Sequence, residues 1–245
     1  MKSIAIMIPA RMESGRFPGK PLALINGKPM ILHVIDRCVE ADLSIPIIVL
    51  TDSADIQSKV FNYGFECLLT SNHPTGSDRV AEANSKLNYE FVINVQGDEP
   101  VFNPLDIGKS AEFLMQNNFH AITGYTKLIN EKEFLDLNTI KVVIGNNSKL
   151  VYVSRSPIPG SKSGKFKSAN RQICLYGYTR ETLKKFHKLS QSSNEIAEDH
   201  ELLRLIDNGF DIGAIELSDM SIPVDVPSDI KLAEEAFLQY FSNKF

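Results

Sequence analysis

Residues 4–22 read Ile4-Ala5-Ile6-Met7-Ile8-Pro9-Ala10-Arg11-Met12-Glu13-Ser14-Gly15-Arg16-Phe17-Pro18-Gly19-Lys20-Pro21-Leu22. The unbroken apolar run 4–8 predicts a short strand buried on both faces, as in a parallel sheet. It empties into a loop of small residues carrying three cations, Arg11, Arg16 and Lys20. Backbone N–H groups can approach anionic oxygens where side chains are small, so this loop reads as a cradle for a polyphosphate. It contains neither GxxxxGK[ST] nor GxGxxG, which excludes a P-loop and a dinucleotide fingerprint.

The same kind of apolar run returns at 45–50, 67–70 and 91–95, with amphipathic stretches near 28–41, 53–63, 77–87 and 104–117 between them. This βαβα rhythm predicts an α/β fold. After residue 121 the runs 121–125, 141–144, 151–154 and 173–178 crowd together, predicting a smaller strand-rich layer at about 121–190 within one domain of 245 residues. The Gly/Ser/Lys-rich stretch 160–168 predicts a mobile loop. A helical pair at 195–208 and 227–242 is expected to close the chain around a strand at 212–217.

Composition narrows the function. With 43% hydrophobic residues the chain has enough apolar matter for one sizeable core. A net charge of −4 provides no basic field for a nucleic-acid partner. Cys38, Cys67 and Cys174 lie far apart and form no CxxC, which predicts a reducing, cytoplasmic setting and no zinc site. No apolar run approaches the roughly 18 residues of a membrane span, and the chain opens directly into strand-like sequence without a leader. The five histidines show no HExxH spacing and no GxSxG is present, which disfavours a zinc or serine hydrolase.

Ligands of an open parallel sheet sit beyond the carboxyl ends of its strands. The Arg11 to Lys20 loop and the cluster Gln96-Gly97-Asp98-Glu99 both fall at such ends, so they are expected to face one cleft. Asp98 stands at the lip after a glycine turn, and Asp225 lies in a loop whose approach is fixed by Pro223 and Pro227. Both are candidates for a hard divalent cation such as Mg²⁺, which takes one or two carboxylates together with phosphate oxygens. The residues alone leave a turn or N-cap role open for each. The segment 73–79 reads as a ligand-facing helix start, or simply as a capped helix with Ser77 at its start. Arg155 offers a planar fork suited to a carboxylate, or is a solvated strand-end arginine. Glu201 is a candidate for hydrogen bonding sugar hydroxyls, or an exposed helical partner of Arg204.

Several blocks, in order along nearly the whole chain, carry a resemblance. They are residues 8–22 with 25–37, Thr75-Gly76-Ser77-Asp78-Arg79, the run 92–100 ending in Gln96-Gly97-Asp98-Glu99-Pro100, Lys141-Val142-Val143, the run 152–159 around Arg155, and Val224-Asp225-Val226-Pro227. Together the chain resembles the 3-deoxy-manno-octulosonate (Kdo) cytidylyltransferases, or CMP-Kdo synthetases. The resemblance implies a Rossmann-like, mostly parallel sheet flanked by helices, of the nucleotide-diphospho-sugar transferase type, with a smaller mixed dimerisation layer. It implies transfer of CMP from CTP to a 3-deoxy-ulosonic acid with release of pyrophosphate, in a homodimer that uses Mg²⁺. It places Pro9, Ala10, Arg11, Arg16, Lys20, Thr75, Ser77, Arg79 and Gln96 on the nucleotide, with Arg11, Lys20 and Asp98 catalytic. It places Gln96, Arg155, Gln172, Tyr176 and Glu201 on the sugar acid, and Asp98 and Asp225 on the metal.

Two departures fall on the sugar side. Where the family has a His-Leu-Gly run this chain has Gln172-Ile173-Cys174, and the usual Glu-Gln-Leu-Arg is Glu201-Leu202-Leu203-Arg204. The expected acceptor is therefore Kdo or a modified relative such as 8-amino-Kdo. A synthetase for a sialic-acid-like nine-carbon acid and a non-catalytic nucleotide-binding protein are the alternatives.

Overall fold

The computed structural model describes residues 3–13 and 15–242, so Ser14 of the phosphate loop lies outside the described residues. In chain order the elements are β1 (Ile4–Ala10), β2 (Leu24–Ile25), β3 (Lys28–Pro29), α1 (Met30–Glu40), β4 (Ile47–Thr51), α2 (Ala54–Asn62), β5 (Glu66–Leu69), α3 (Gly76–Leu87), β6 (Phe91–Val95), β7 (Val101–Phe102) and α4 (Leu105–Gln116). They continue with β8 (Ala121–Leu128), α5 (Glu131–Leu135), β9 (Lys141–Ile144), β10 (Leu150–Ser154), β11 (Ala169–Thr179), α6 (Arg180–Phe186), α7 (Ser193–Glu198), α8 (Leu202–Asp207), β12 (Ile212–Glu216), β13 (Ser221–Ile222) and α9 (Asp229–Ser242).

One nine-stranded sheet organises the molecule. Strands β5, β4, β1 and β6 are mutually parallel, with Ile8 opposite Val49 and Ala5 opposite Val92. β11 joins β6 antiparallel, β8 lies antiparallel against β11, and β12 is parallel to β8. The strands expected in a smaller layer thus hydrogen-bond into this same sheet, and the β9–β10 hairpin branches from the first half of β11.

Alternation along the strands explains why both faces are covered. Ile6, Ile8 and Ala10 of β1 pack with Ile93 and Val95 of β6 and with α1, α2 and α4. Met7 and Val92 point the other way, into a cluster built with α3, α6 and α8. Burying each such side chain stabilises the fold by about 1.5–3 kcal/mol, so neither face tolerates a register slip.

Two stretches differ from the sequence expectation. The helix expected at 195–208 is broken into α7 and α8 by Asp199, which adopts the left-handed conformation at φ 50°. The break is held by tertiary contacts: the Arg155 guanidinium takes the carbonyls of Glu198 at 2.9 Å and Asp199 at 3.3 Å. The seven-residue α6, capped by Thr179 and anchored by buried Leu183 and Phe186, is too short to be marked by periodicity. Residues 160–168 carry no helix or strand, and among the described residues no helix is long and apolar enough to cross a membrane.

Candidate active site

The carboxyl ends of β1 and β6 meet because residue 97 has no side chain. A Cβ there would lie 2.6 Å from the Pro9 carbonyl oxygen, closer than such atoms pack. The phosphate loop then folds back on itself, with the Gly19 N–H donating to the Met12 carbonyl at 2.9 Å. Gly19, at φ 73°, starts a short 3-10 turn from Lys20 to Leu22 that directs Lys20 inward.

Lys20 is the hinge of the charge arrangement. Its ammonium donates to Asp98 Oδ2 at 2.7 Å and to Asp225 Oδ1 at 3.3 Å, and Arg16 pairs with the same Asp225 oxygen at 3.1 Å. Asp225 arrives here from the far end of the chain through three ties. β13 pairs with β7, the Val224 N–H donates to the Asp98 carbonyl at 2.9 Å, and Asp229 accepts from the backbone N–H groups of Asp225 and Val226. The prolines flanking Asp225 mark the loop in sequence; the Asp229 brace carries no such signal.

A cavity of about 410 Å³ opens beside these charges, lined by Pro9, Ala10, Arg11, Arg16, Lys20, Thr75, Gly76, Arg79, Gln96, Asp98 and Asp225. The residues expected around a nucleotide are thereby gathered, but they play unequal parts. Arg11 is exposed and reaches the Pro74 carbonyl at 3.4 Å. Arg79 is buried and engaged with Asp52 at 2.6 Å, so it braces the cavity wall. Thr75 caps α3 by accepting from the Asp78 N–H at 3.1 Å. Ser77 is fully buried, and its hydroxyl lies 2.6 Å from the Tyr178 hydroxyl and 2.7 Å from Glu201 Oε1. His73, at the head of the expected ligand-facing segment 73–79, also lines the cavity, as does Asp199, which did not stand out in the sequence.

A second cavity of about 480 Å³ adjoins the first through Arg11, Arg16, Thr75, Gln96, Asp98 and Asp225. Arg155, Tyr176, His200 and Glu201 line it, with Glu99 and Cys174. Arg155 keeps its position through Glu198 and Asp199, and its pair with the largely exposed Asp199 carboxylate at 3.5 Å is too weak to neutralise it. Glu201 accepts from both the Ser77 N–H and its hydroxyl, and burial raises its carboxyl above the usual range against those bonds. It is not paired with Arg204, which is held in buried, bidentate fashion by Asp78 and Glu195. That ion cluster fixes α8 against the start of α3.

Gln172 does not line this cavity but borders the one that adjoins it through Glu99, Ile140 and Cys174. Its amide donates to Thr123 Oγ1 at 3.0 Å, and its carbonyl receives the His200 Nε2 proton at 2.7 Å. His200 is pulled down to about 3 by burial, reinforced by the Arg155 charge, and stays neutral. The imidazole absent at position 172 is thus met by one from the break between α7 and α8. Burial also pushes the Glu99 carboxyl up to about 7, against the bond it accepts from Ser221 Oγ at 2.6 Å.

A polyphosphate loop, paired carboxylates and a contiguous second cavity form the layout of a nucleotidyl transfer site, and comparison with known proteins agrees. Residues 5–213 match the family described as Cytidylyltransferase. The chain belongs to this family. A 3-deoxy-manno-octulosonate cytidylyltransferase of Pelobacter propionicus is 37% identical over 248 residues, covering 96% of this cytidylyltransferase and 97% of that protein. One from Geobacter metallireducens is 36% identical over 250 residues, covering 97% and 98% of the two chains. The solved CMP:2-keto-3-deoxy-manno-octonic acid synthetase complexed with CTP superposes with a TM-score of 0.91 at 32% identity, covering 97% of this chain and 99% of its own. A glucose-1-phosphate thymidylyltransferase from Bacillus anthracis, at TM-score 0.69 and 14% identity over 95% and 94%, shares the fold. This cytidylyltransferase is accordingly a nucleotidyltransferase with a Rossmann-like fold.

Proposed function

We propose that the protein activates Kdo, or a modified relative such as 8-amino-Kdo, with CTP to give the CMP-sugar and pyrophosphate, for lipopolysaccharide or another surface glycan. The observation that carries this reading is the convergence of Arg16, Lys20, Asp98 and Asp225 where the nucleotide and acceptor cavities join.

The anomeric hydroxyl of the sugar acid attacks the α-phosphorus of CTP. A sugar oxygen to phosphorus bond forms, the bond to the β-phosphate oxygen breaks with its electron pair leaving on pyrophosphate, and the hydroxyl proton passes to solvent. Arg11, Arg16 and Lys20 hold the triphosphate and stabilise the charge that develops on it. Arg155 faces the sugar carboxylate, and Glu201 and Tyr176 orient the ring. Positioning and charge are sufficient, so no protein general base is assigned.

Among the described residues no group of three His, Cys, Asp or Glu side chains gathers to cage a metal. Asp98 and Asp225 nevertheless reach the same Lys20 nitrogen, which suits Mg²⁺ shared between two carboxylates and phosphate oxygens. When bound there it would act as a Lewis acid at the phosphate oxygens. The expected homodimer would form through the strand-rich 121–190 region, and the expected setting is the cytoplasm.

Pyrophosphate release with Mg²⁺ and CTP tests the reading, using Kdo, its amino-substituted analogue, a nine-carbon sialic acid and no sugar. Release dependent on an eight-carbon acid is expected. Release only with the nine-carbon acid, or CTP binding with no release at all, would overturn it.

A further inference from the structure

Lys141 is fully buried, yet among the described residues no carboxylate pairs with its ammonium. Taking an ammonium out of water is costly unless its donors are met. Here main-chain oxygens meet them: the carbonyls of Asp136 at 2.8 Å and Thr139 at 2.5 Å, and that of Arg155. An ammonium has three donors, so Lys141 is spent within the protein and offers nothing to a ligand. The sequence singles out Lys141-Val142-Val143 as a block but gives its lysine no role.

The three carbonyls come from two segments, the loop 136–140 between α5 and β9 and the residue that follows β10. Lys141 stands opposite Ser154 in the β9–β10 pairing, and its ammonium reaches the carbonyl of the next residue. Both segments wall the acceptor cavity, through Asn138, Ile140 and Arg155. The Arg155 guanidinium in turn donates to the Leu137 carbonyl at 3.3 Å, between the two loop residues that Lys141 holds. The two cations thus interlock. Lys141 fixes the loop and the main chain of residue 155, and the guanidinium then takes a carbonyl from that same loop.

We propose that Lys141 is the positioning residue for recognition of the acceptor's carboxylate. By drawing the carbonyls of Asp136, Thr139 and Arg155 to one point, it holds the Arg155 guanidinium and the 137–140 wall where the sugar acid meets them. It acts through Arg155 and not on the substrate. This inference rests on the reaction proposed above.

The experiment measures pyrophosphate release with the full chain and Mg²⁺, varying CTP and the acceptor in turn, with Kdo and its amino-substituted analogue as acceptors. Lys141→Met removes charge and donors at similar length; Lys141→Gln keeps a neutral donor. In Lys141→Met, KM for the sugar acid is expected to rise about tenfold or more while kcat and KM for CTP stay within about twofold, the pattern of binding lost at one substrate. Lys141→Gln shows the same pattern with a smaller rise. Added to Arg155→Ala, Lys141→Met changes KM for the sugar acid by less than about twofold, because the residue it serves is already gone. A purely scaffolding lysine would move both KM values together, and one acting independently of Arg155 would repeat its full effect in the Arg155→Ala chain. Either result, or an unchanged KM for the sugar acid, overturns the proposal. So does failure of both single variants to fold, read by thermal unfolding, since Lys141 would then serve the fold as a whole. Failure of the underlying reaction looks different: the unsubstituted chain releases no pyrophosphate with either acceptor.

Discussion

The Lys20 ammonium lies 2.7 Å from Asp98 Oδ2, although the two residues are 78 positions apart in the chain. This contact joins the loop that follows β1 to the turn that follows β6. It sets the cation and the carboxylate at a single point, the one where the proposed nucleotidyl transfer would develop its charge.

Replacing Asp98 with Asn therefore lowers turnover by about 100-fold or more, as for loss of an electrostatic group acting on the transition state. Its side chain is 37% exposed, so the fold is expected to survive. Pyrophosphate release together with thermal unfolding checks both halves. Turnover like that of the unsubstituted protein in a fully folded variant would overturn the proposed metal role of Asp98.

Ser77→Ala tests the link between the two cavities. The substitution leaves the Tyr178 hydroxyl and a Glu201 oxygen without their shared partner in a buried setting, a loss of about 1–3 kcal/mol. Urea unfolding reads that loss, and KM for the sugar acid should rise because Glu201 loses its bond from the Ser77 hydroxyl and keeps the one from the residue 77 N–H. An unchanged midpoint would show that the hydroxyl bridge is dispensable.

His200 gives stability a specific pH dependence. Its folded-state value is about 3, against 6.5 in the unfolded chain, so below pH 6.5 the unfolded chain binds a proton that the native imidazole refuses. The stabilisation is complete above 6.5 and declines by about 1.4 kcal/mol per pH unit beneath it, towards 3. Between pH 7 and pH 5 the unfolding free energy is expected to fall by about 2 kcal/mol from this group. His200→Gln should abolish that slope whatever it does to stability at pH 7. A slope that persists in the variant would assign the effect elsewhere.

Gly97→Ala probes the crossing of β1 and β6. The added methyl meets the Pro9 carbonyl and must displace the start of the phosphate loop, costing about 1–3 kcal/mol. A lower melting temperature with a raised KM for CTP is expected; unaltered CTP affinity would mean the loop adjusts freely.

The first half of the fold was legible because the apolar runs at β1, β4 and β6 are dictated by burial on both faces, a local signal that sequence carries openly. The break at Asp199 was not, since it depends on Arg155 taking carbonyls from 43 and 44 positions away. The same distinction divides the site. Lys20, Asp98 and Asp225 stand beside Gly and Pro that announce sharp turns, and they do converge. Ser77 and Arg79 look equally available in sequence, yet their partners, Glu201 and Asp52, are supplied by other elements and turn them into braces. Glu99 was legible only as a member of the cluster expected to face the cleft; its place where two cavities join is something no spacing along the chain records.

The hydrogen bond between Gln172 and His200 bears on how such a protein can diversify. Each side chain answers the other where both are buried, so a mutation at either position alone breaks their shared bond, whereas a matched change keeps both satisfied. Descendants that retune this side of the cleft are thus expected to acquire changes at positions 172 and 200 as a pair, through an intermediate that is less stable than either ancestor or successor.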